Sequence, residues 1–255
     1  MNMNNEKQFE FNEEEHYYTL DGKRMYGITS VLGVIAKPML IQWAANEAVR
    51  ELGWFDERKS INKELDLTNF EKRWEEIKKL ERDEFFELLS KARYSHRKKK
   101  EKAGDIGHIV HKAIEKWIKE SKEPELDEQG MKMFNNFKSW TEKNNIKFLE
   151  SEKKMYSEEL WIAGTMDALI EKDNKKYVLD IKTTGGIYDR IPFFQCAGYS
   201  IMLAEHNIEV EGYIIIRIGK DGAVEEFYSY DIEGDKQGFL ATLTLFKQLE
   251  TWKTK

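Results

Sequence analysis

Two aspartates and a lysine near the middle of the chain have the types and the spacing to act on a phosphate ester. Gly164-Thr165-Met166-Asp167 is followed by Tyr177-Val178-Leu179-Asp180-Ile181-Lys182-Thr183-Thr184, which sets two charged side chains into an otherwise apolar run. Alternate residues of a strand share a face. Tyr177, Leu179 and Ile181 therefore point into a core, while Val178, Asp180 and Lys182 point the other way. Partly burying a carboxylate and an ammonium on one sheet face carries a desolvation cost that their mutual attraction does not reliably recover. Stability alone does not explain Asp-x-Lys at this place; a site does.

Asp167 belongs to the hydrophobic run from Leu160 to Ile170, and it comes beside Asp180 if the two segments pair as a hairpin through Lys172-Asp173-Asn174-Lys175. Two close carboxylates repel unless a cation lies between them. Hard oxygen ligands suit Mg²⁺ or Mn²⁺, which keep several waters and bind phosphate oxygens. Lys182, on the Asp180 face, can hold a water or help to deprotonate it. The set fits metal-assisted phosphodiester hydrolysis, in which the ion supplies the nucleophile and neutralises developing charge.

Two further segments complete a pattern. Gly107-His108-Ile109-Val110-His111 leads to Glu115, Asp167 precedes Asp180-Ile181-Lys182, and Gln195-Cys196-Ala197-Gly198-Tyr199 follows. In this order they resemble the G-x-x-x-H-x-x-x-E, Asp, Asp-x-Lys and Q-x-x-x-Y motifs of the PD-(D/E)xK nucleases, within them the RecB-like exonuclease branch. The arrangement, with Thr29-Ser30-Val31-Leu32 and Trp43 near the start, is similar to that of phage-encoded exonucleases and the mitochondrial genome maintenance exonuclease. It spans residues 17–230. Met166 stands where the family name has proline, a place where this branch often carries an aliphatic residue. Some relatives hold an iron-sulfur cluster on four cysteines; Cys196 is the only cysteine here, which excludes a cluster of that kind within one subunit.

The resemblance implies an α/β fold with a restriction-endonuclease-like core, a central mixed β-sheet flanked by helices, and a helical N-terminal elaboration. It implies that Asp167, Asp180, His111 and the carbonyl of Ile181 hold Mg²⁺ or Mn²⁺, imidazole shifting preference toward Mn²⁺. Lys182 then orients the attacking water and stabilises charge on the phosphate. Gln195, Tyr199 and Thr183 are candidate substrate contacts, although Gln195 and Tyr199, four apart on one helix face, serve equally well as a helix-to-sheet hydrogen bond. Glu115 and Glu152 are candidates just outside the direct ligands. His111, four residues after Gly107 and four before Glu115 as that motif has it, is preferred, with His108, one turn earlier, kept as the alternative.

The elements that must position these residues are legible in outline. Residues 1–16 read as a frayed polar tail. Tyr17 to Leu20 and Arg24 to Tyr26 flank Asp21-Gly22, a hairpin dipeptide, and Pro38 suits the first turn of a helix to about Leu52. From Leu67 to Lys102 the pattern is helical and highly charged, an arm that Gly104 ends so that the His111 helix can begin. A helix over 125–144, strands, the Gln195 helix, strands at 213–218 and 224–230 and a last helix to Trp252 follow. The division expected is a tail at 1–16, a hairpin and helical arm at 17–103, and a nuclease core at 104–255.

Charge and composition bound the partners. The 255 residues carry a net charge of -6, which alone disfavours a nucleic-acid enzyme, because Lys and Arg contacts to phosphate supply most of the affinity. Distribution changes the reading: Lys91 to Lys102 is dominated by basic residues, with Lys98, Lys99 and Lys100 in a row and Arg93, Tyr94 and His96 offering stacking surfaces for an unpaired strand. A solvated helix face is the plain alternative. No stretch approaches the roughly 20 apolar residues that cross a bilayer, and the acidic N-terminus lacks a signal-peptide apolar region, so a cytoplasmic protein is expected. The resemblance further suggests a phage or prophage source.

The activity expected is a metal-dependent DNA exonuclease preferring single-stranded or frayed ends, worked beneath an arch of the preceding helices. A structure-specific or defence-type endonuclease, a recombination or replication accessory that binds DNA without cutting, and a hydrolase of small phosphate esters stay open. No G-x-x-x-x-G-K-[ST] motif occurs, so a helicase partner would be a separate chain.

Overall fold

Turn chemistry sets the two tight hairpins of the chain. Asp21 and Gly22, with φ of 49° and 73°, join β2 (Tyr17–Leu20) to β3 (Lys23–Arg24). Asp173 and Asn174, with φ of 52° and 60°, join β6 (Ile162–Lys172) to β7 (Lys175–Lys182), Lys172 opposite Lys175. Positive φ at both central positions is the backbone of the primed turn whose twist matches paired strands. The computed structural model describes residues 7–53 and 68–253.

Strand β1 (Phe9–Asn12) pairs antiparallel with β2 and makes a three-stranded sheet with β2 and β3. The expected frayed tail therefore contains a strand. Phe9 lies 5.9 Å from the Tyr18 ring and 4.6 Å from that of Tyr156, and Phe11 lies 4.6 Å from Tyr18. Each such contact contributes about 0.5–1.5 kcal/mol beyond area burial, enough together to hold a short edge strand that its polar composition argues against.

The larger sheet is mixed and six-stranded. From β9 (Val224–Ser229) the path runs through β8 (Gly212–Ile218) and β7 to β6, which β4 (Tyr26–Gly27) and β5 (Lys147–Ser157) also join. β7 and β8 are parallel, so they need a crossover; α6 (Ile191–Ala204) supplies it. On one face lie α1 (Ile28–Leu32), α6 and α7 (Ile232–Lys253), around a core that includes Ile28, Met166, Val178, Tyr199, Tyr213 and Phe239. The start of α6 is tied to α7 by Arg190, which donates to the buried Asp235 at 2.7 Å. On the other face α5 (Glu128–Lys143) meets β8 and β9, and Trp117 sets its ring edge against Phe134, Phe137 and Phe148.

Helices therefore cover both faces, which corrects one expectation. Val178 is as fully buried as Leu179, so the face bearing Asp180 is itself core and not merely a site-facing side. A strand in a sheet with a parallel pair and helices on each side reads as a continuous apolar run, as Tyr177 to Leu179 and Ile181 do apart from Asp180 between them.

The chain divides into two compact units, Met1–Ile35 with Gly107–Lys255, and Ala36–Ile106. The hairpin thus belongs with the sheet and not with the helical arm. The arm is also two helices: α3 (Thr68–Ile77) and the start of α4 (Arg82–Glu120). The break has a cap, since the Glu84 carboxylate accepts from the Glu81 amide at 2.9 Å; the expected start at Leu67 lies outside the described residues. Gly104 does not end the arm. It sits inside α4, where a glycine costs about 1 kcal/mol relative to alanine, too little to break a helix of 39 residues. Among the described residues no helix is long and apolar enough to cross a membrane.

Within the second unit, α2 (Pro38–Glu51) buries Glu47. Burial opposes its charge, but Lys99 and Arg50, both paired with it, hold its pKa below the ordinary carboxylate value. Lys99, exposed like its neighbours Lys98 and Lys100, is therefore set apart from them as a structural cation by this pairing. Lys99→Ala should destabilise the protein by on the order of 1–3 kcal/mol by leaving a buried carboxylate short of a partner, while Lys98→Ala and Lys100→Ala stay within about 0.5 kcal/mol. Urea unfolding of the three variants checks this; three equal effects would contradict it.

Candidate active site

Strands β6 and β7 pair from Lys172↔Lys175 to Ala168↔Leu179 and then part, the first half of β6 pairing with β4 instead. Asp167 and Asp180 are the residues just past the last pair. The ladder is replaced there by a side chain: the Ile181 amide donates to Asp167 Oδ2 at 2.7 Å. This charge-assisted bond satisfies a backbone donor the divergence would otherwise orphan, and it fixes the carboxylate beside the next strand.

Asp180 is 1% exposed. Its Oδ1 accepts from Lys182 Nζ at 2.7 Å, while its Oδ2 is buried with no hydrogen-bond partner. Burial is the main cause that pushes its pKa up, the Lys182 charge opposes this, and the negative charge of Asp167 adds to it. Burial works against the Lys182 ammonium as well, but Asp180 and Asp167 outweigh it and raise its pKa. Lys182 also donates to Gln195 Oε1 at 3.1 Å, and Gln195 Nε2 donates to the Tyr199 hydroxyl at 3.3 Å. Gln195 thus makes a helix-to-sheet hydrogen bond to Lys182, while Tyr199 bonds within its own helix and is buried in the core.

His111 comes from α4, where Val110 and Ile114 on either side are buried. Its Nδ1 lies 3.9 Å from Asp167 Oδ2, whereas His108 is exposed. Gly107, one turn before, explains how the helix reaches the strand end. A Cβ built there would stand 2.5 Å from Thr183 Oγ1, so Thr183 is a packing neighbour of the helix and a larger residue at 107 would force the Thr183 side chain or the helix to shift.

Glu152 is the residue whose place sequence reasoning undervalued. The β5–β6 register runs through Ser151↔Ala168 and Lys153↔Met166 and skips the pair between them, Glu152 with Asp167. Glu152 has φ of 48°, a left-handed backbone rare for a non-glycine strand residue. The kink brings its carboxylate to Asp167 and His111: one ligand atom from each of His111, Glu152 and Asp167 lies within 4.8 Å of the others. Burial first, then the charges of Asp167 and Glu115, push the Glu152 pKa up to about 7. Glu115 is paired with Lys119 at 2.7 Å. Only the parity of β5 against β6 signals this position, and no run of β-branched residues marks β5 as a strand.

The basic run is not all free. Lys99 is held by Glu47, and the Tyr94 ring is flanked by the guanidinium groups of Arg93 and Arg97, at 5.3 and 4.7 Å from its centroid. His96 sets its edge against Trp43.

Among known proteins, no family model and no curated sequence matches the chain. The crystal structure of SSO0001 is similar at a TM-score of 0.32 and 15% identity, over 81% of this chain and 86% of that one.

The Glu152 shift has a signed consequence. A carboxylate whose folded-state pKa is raised from 4.5 to about 7 contributes stability that is fully present below the unfolded value and lost as pH rises through the folded one. In metal-free buffer, Glu152→Gln should therefore gain in thermal midpoint relative to the wild type as pH goes from about 5 to about 8. Calorimetry in EDTA reads the difference; one that does not change with pH would remove the case for a strained, partly buried carboxylate.

Proposed function

We propose that this chain is a metal-dependent deoxyribonuclease that hydrolyses phosphodiester bonds from single-stranded or frayed DNA ends, on a restriction-endonuclease-like core. One observation carries the reading: Asp167, Asp180 and Lys182 meet where β6 and β7 part, with His111 3.9 Å from Asp167. A mixed sheet with helices on both faces supports it more coarsely.

A divalent cation fits the residues present. The donors are hard carboxylate oxygens and an imidazole, the combination Mg²⁺ and Mn²⁺ accept, and Asp180 Oδ2 is a buried acceptor lacking a partner. Asp167 and Asp180, the carbonyl of Ile181 and His111 would hold the ion. When bound, it polarises the phosphate and lowers the pKa of a water. The chain's own groups do the rest. Lys182, steered by Asp180 and Gln195, orients the attacking water and offsets charge building on the phosphate oxygens. The Ile181 amide holds Asp167 in one orientation, which preorganises the ligand before substrate arrives. Exposed Lys98 and Lys100 are cations of the basic run that would contact backbone phosphates, a role that makes affinity fall with salt.

End-labelled linear and circular single-stranded DNA, incubated in Mg²⁺, Mn²⁺ or EDTA with wild type and Lys182→Ala, tests this. The expected result is metal-dependent loss of linear but not circular DNA by the wild type, with a rate at least about 100-fold lower in Lys182→Ala. Cutting of circles would make the enzyme an endonuclease with the same site. No cutting in either metal would leave a DNA-binding accessory.

A further inference from the structure

The loop from β7 to α6, Thr183-Thr184-Gly185-Gly186-Ile187-Tyr188-Asp189-Arg190, leaves its strand directly after Lys182 and enters the helix that carries Gln195. Both of its ends are braced. Arg217, opposite Lys182 on β8, donates from Nε to the Thr184 carbonyl at 2.9 Å and from Nη1 to Glu225 at 2.5 Å. At the other end Arg190 is held by Asp235, and the Asp189 carboxylate accepts from the Ile191 amide at 2.9 Å. Between them the Thr184 hydroxyl donates to the Gly186 carbonyl at 3.1 Å. A surface loop tied in this way gives up its conformational entropy on folding, and not when a ligand arrives.

What this bracing presents is the ring of Tyr188, 71% exposed. A Cβ on Gly186 would collide with its Cζ and its hydroxyl oxygen, so the lack of one lets the ring lie on the backbone. A Cβ on Gly185 would meet nothing within 4 Å, so the space beside the loop is open. Among the described residues the Tyr188 ring meets no other aromatic ring and no cation, and its hydroxyl has no hydrogen-bond partner. Tyr230, 66% exposed, differs, since the rings of Tyr177 and Tyr228 lie against it. One exposed aromatic side chain is ordinary; one seated on a glycine, in a braced loop rooted at Lys182, offers a flat and preorganised face.

We propose that Tyr188 is a stacking seat for an unpaired base of the strand being cut. This rests on the nuclease reading and deepens it, since it names what selects single-stranded or frayed ends. Every base has a π-face, so an aromatic ring receives any of them regardless of sequence. A paired base has its faces covered by its neighbours and must first be unstacked, a cost that a free or frayed strand does not carry. The strand is then brought to Lys182 by a contact to a base and not to a phosphate, so the seat adds affinity without adding to the salt dependence.

Fluorescence anisotropy of the full chain in EDTA, with a labelled oligothymidylate and an abasic strand of the same length, tests this. Wild type, Tyr188→Ala and Tyr188→Phe are compared. Tyr188→Ala should bind oligothymidylate on the order of 10-fold more weakly than the wild type, the size of one base–aromatic stack, and Tyr188→Phe, which keeps the ring, should bind as the wild type does. The slope of affinity against salt should be the same in all three, and the abasic strand should be bound equally by wild type and Tyr188→Ala. That last comparison separates a stack from a disturbed loop, which would weaken both strands alike. Equal binding of oligothymidylate by wild type and Tyr188→Ala, or an equal loss on the abasic strand, would overturn the seat. A stack measured in this way in a protein that cuts no DNA in Mg²⁺ or Mn²⁺ would sustain the seat and sink the nuclease. Cleavage by a protein whose binding is indifferent to Tyr188 would do the reverse.

Discussion

The hydrogen bond from the Ile181 amide to Asp167 is the interaction on which the site depends, because it stands where the sheet stops being a sheet. β6 cannot pair with β4 over one half and β7 over the other without leaving a gap between them. A gap in the middle of a sheet orphans backbone donors, and an orphaned buried donor costs about 1–3 kcal/mol. Asp167 fills that role with a charged acceptor, which makes it both the structural plug of the divergence and the acid closest to His111 and Glu152.

What the plug does not solve is Asp180. A carboxylate buried on both sides of a helix-covered sheet, given one ammonium and left with one bare oxygen, raises the energy of the folded chain. Lys182 lessens this but is itself partly buried and shared with Gln195. By contrast, the buried carboxylate of the second unit, Glu47, has two cations and a depressed pKa. The two acids show the difference between a charge placed for the fold and a charge placed against it, and proteins tend to accept the second kind at functional sites.

Much of this was readable beforehand where local chemistry decides. Asp21-Gly22 and Asp173-Asn174 announce their turns, Pro38 opens its helix, and strand parity alone places Asp180 and Lys182 on one face. Long-range facts were not readable. Phe9 and Phe11 become a strand only because Tyr18 and Tyr156 are there to receive them. Gly104 looks like a break yet lies in a helix whose length absorbs it, while Gly107, equally plain in the sequence, is the glycine that matters, since only the fold shows Thr183 against it. Glu152 reads as an acid near the site, but its kinked backbone opposite Asp167 depends on the β5–β6 register, which no local pattern encodes. Lys99 reads as one of three equivalent cations until its pairing with Glu47 is seen.

The most direct test of the account is the thermal midpoint of wild type and Asp180→Asn, each in EDTA and in Mn²⁺, at about pH 8, which lies above the raised Asp180 pKa of about 7, where its charge is a burden on the fold. In EDTA the asparagine variant should melt no lower than the wild type, and Mn²⁺ should raise the wild type more than the variant, because an ion that binds only the folded state stabilises it. A variant that melts well below the wild type in EDTA, and gains as much from Mn²⁺, would mean that Asp180 serves the fold and not a cation.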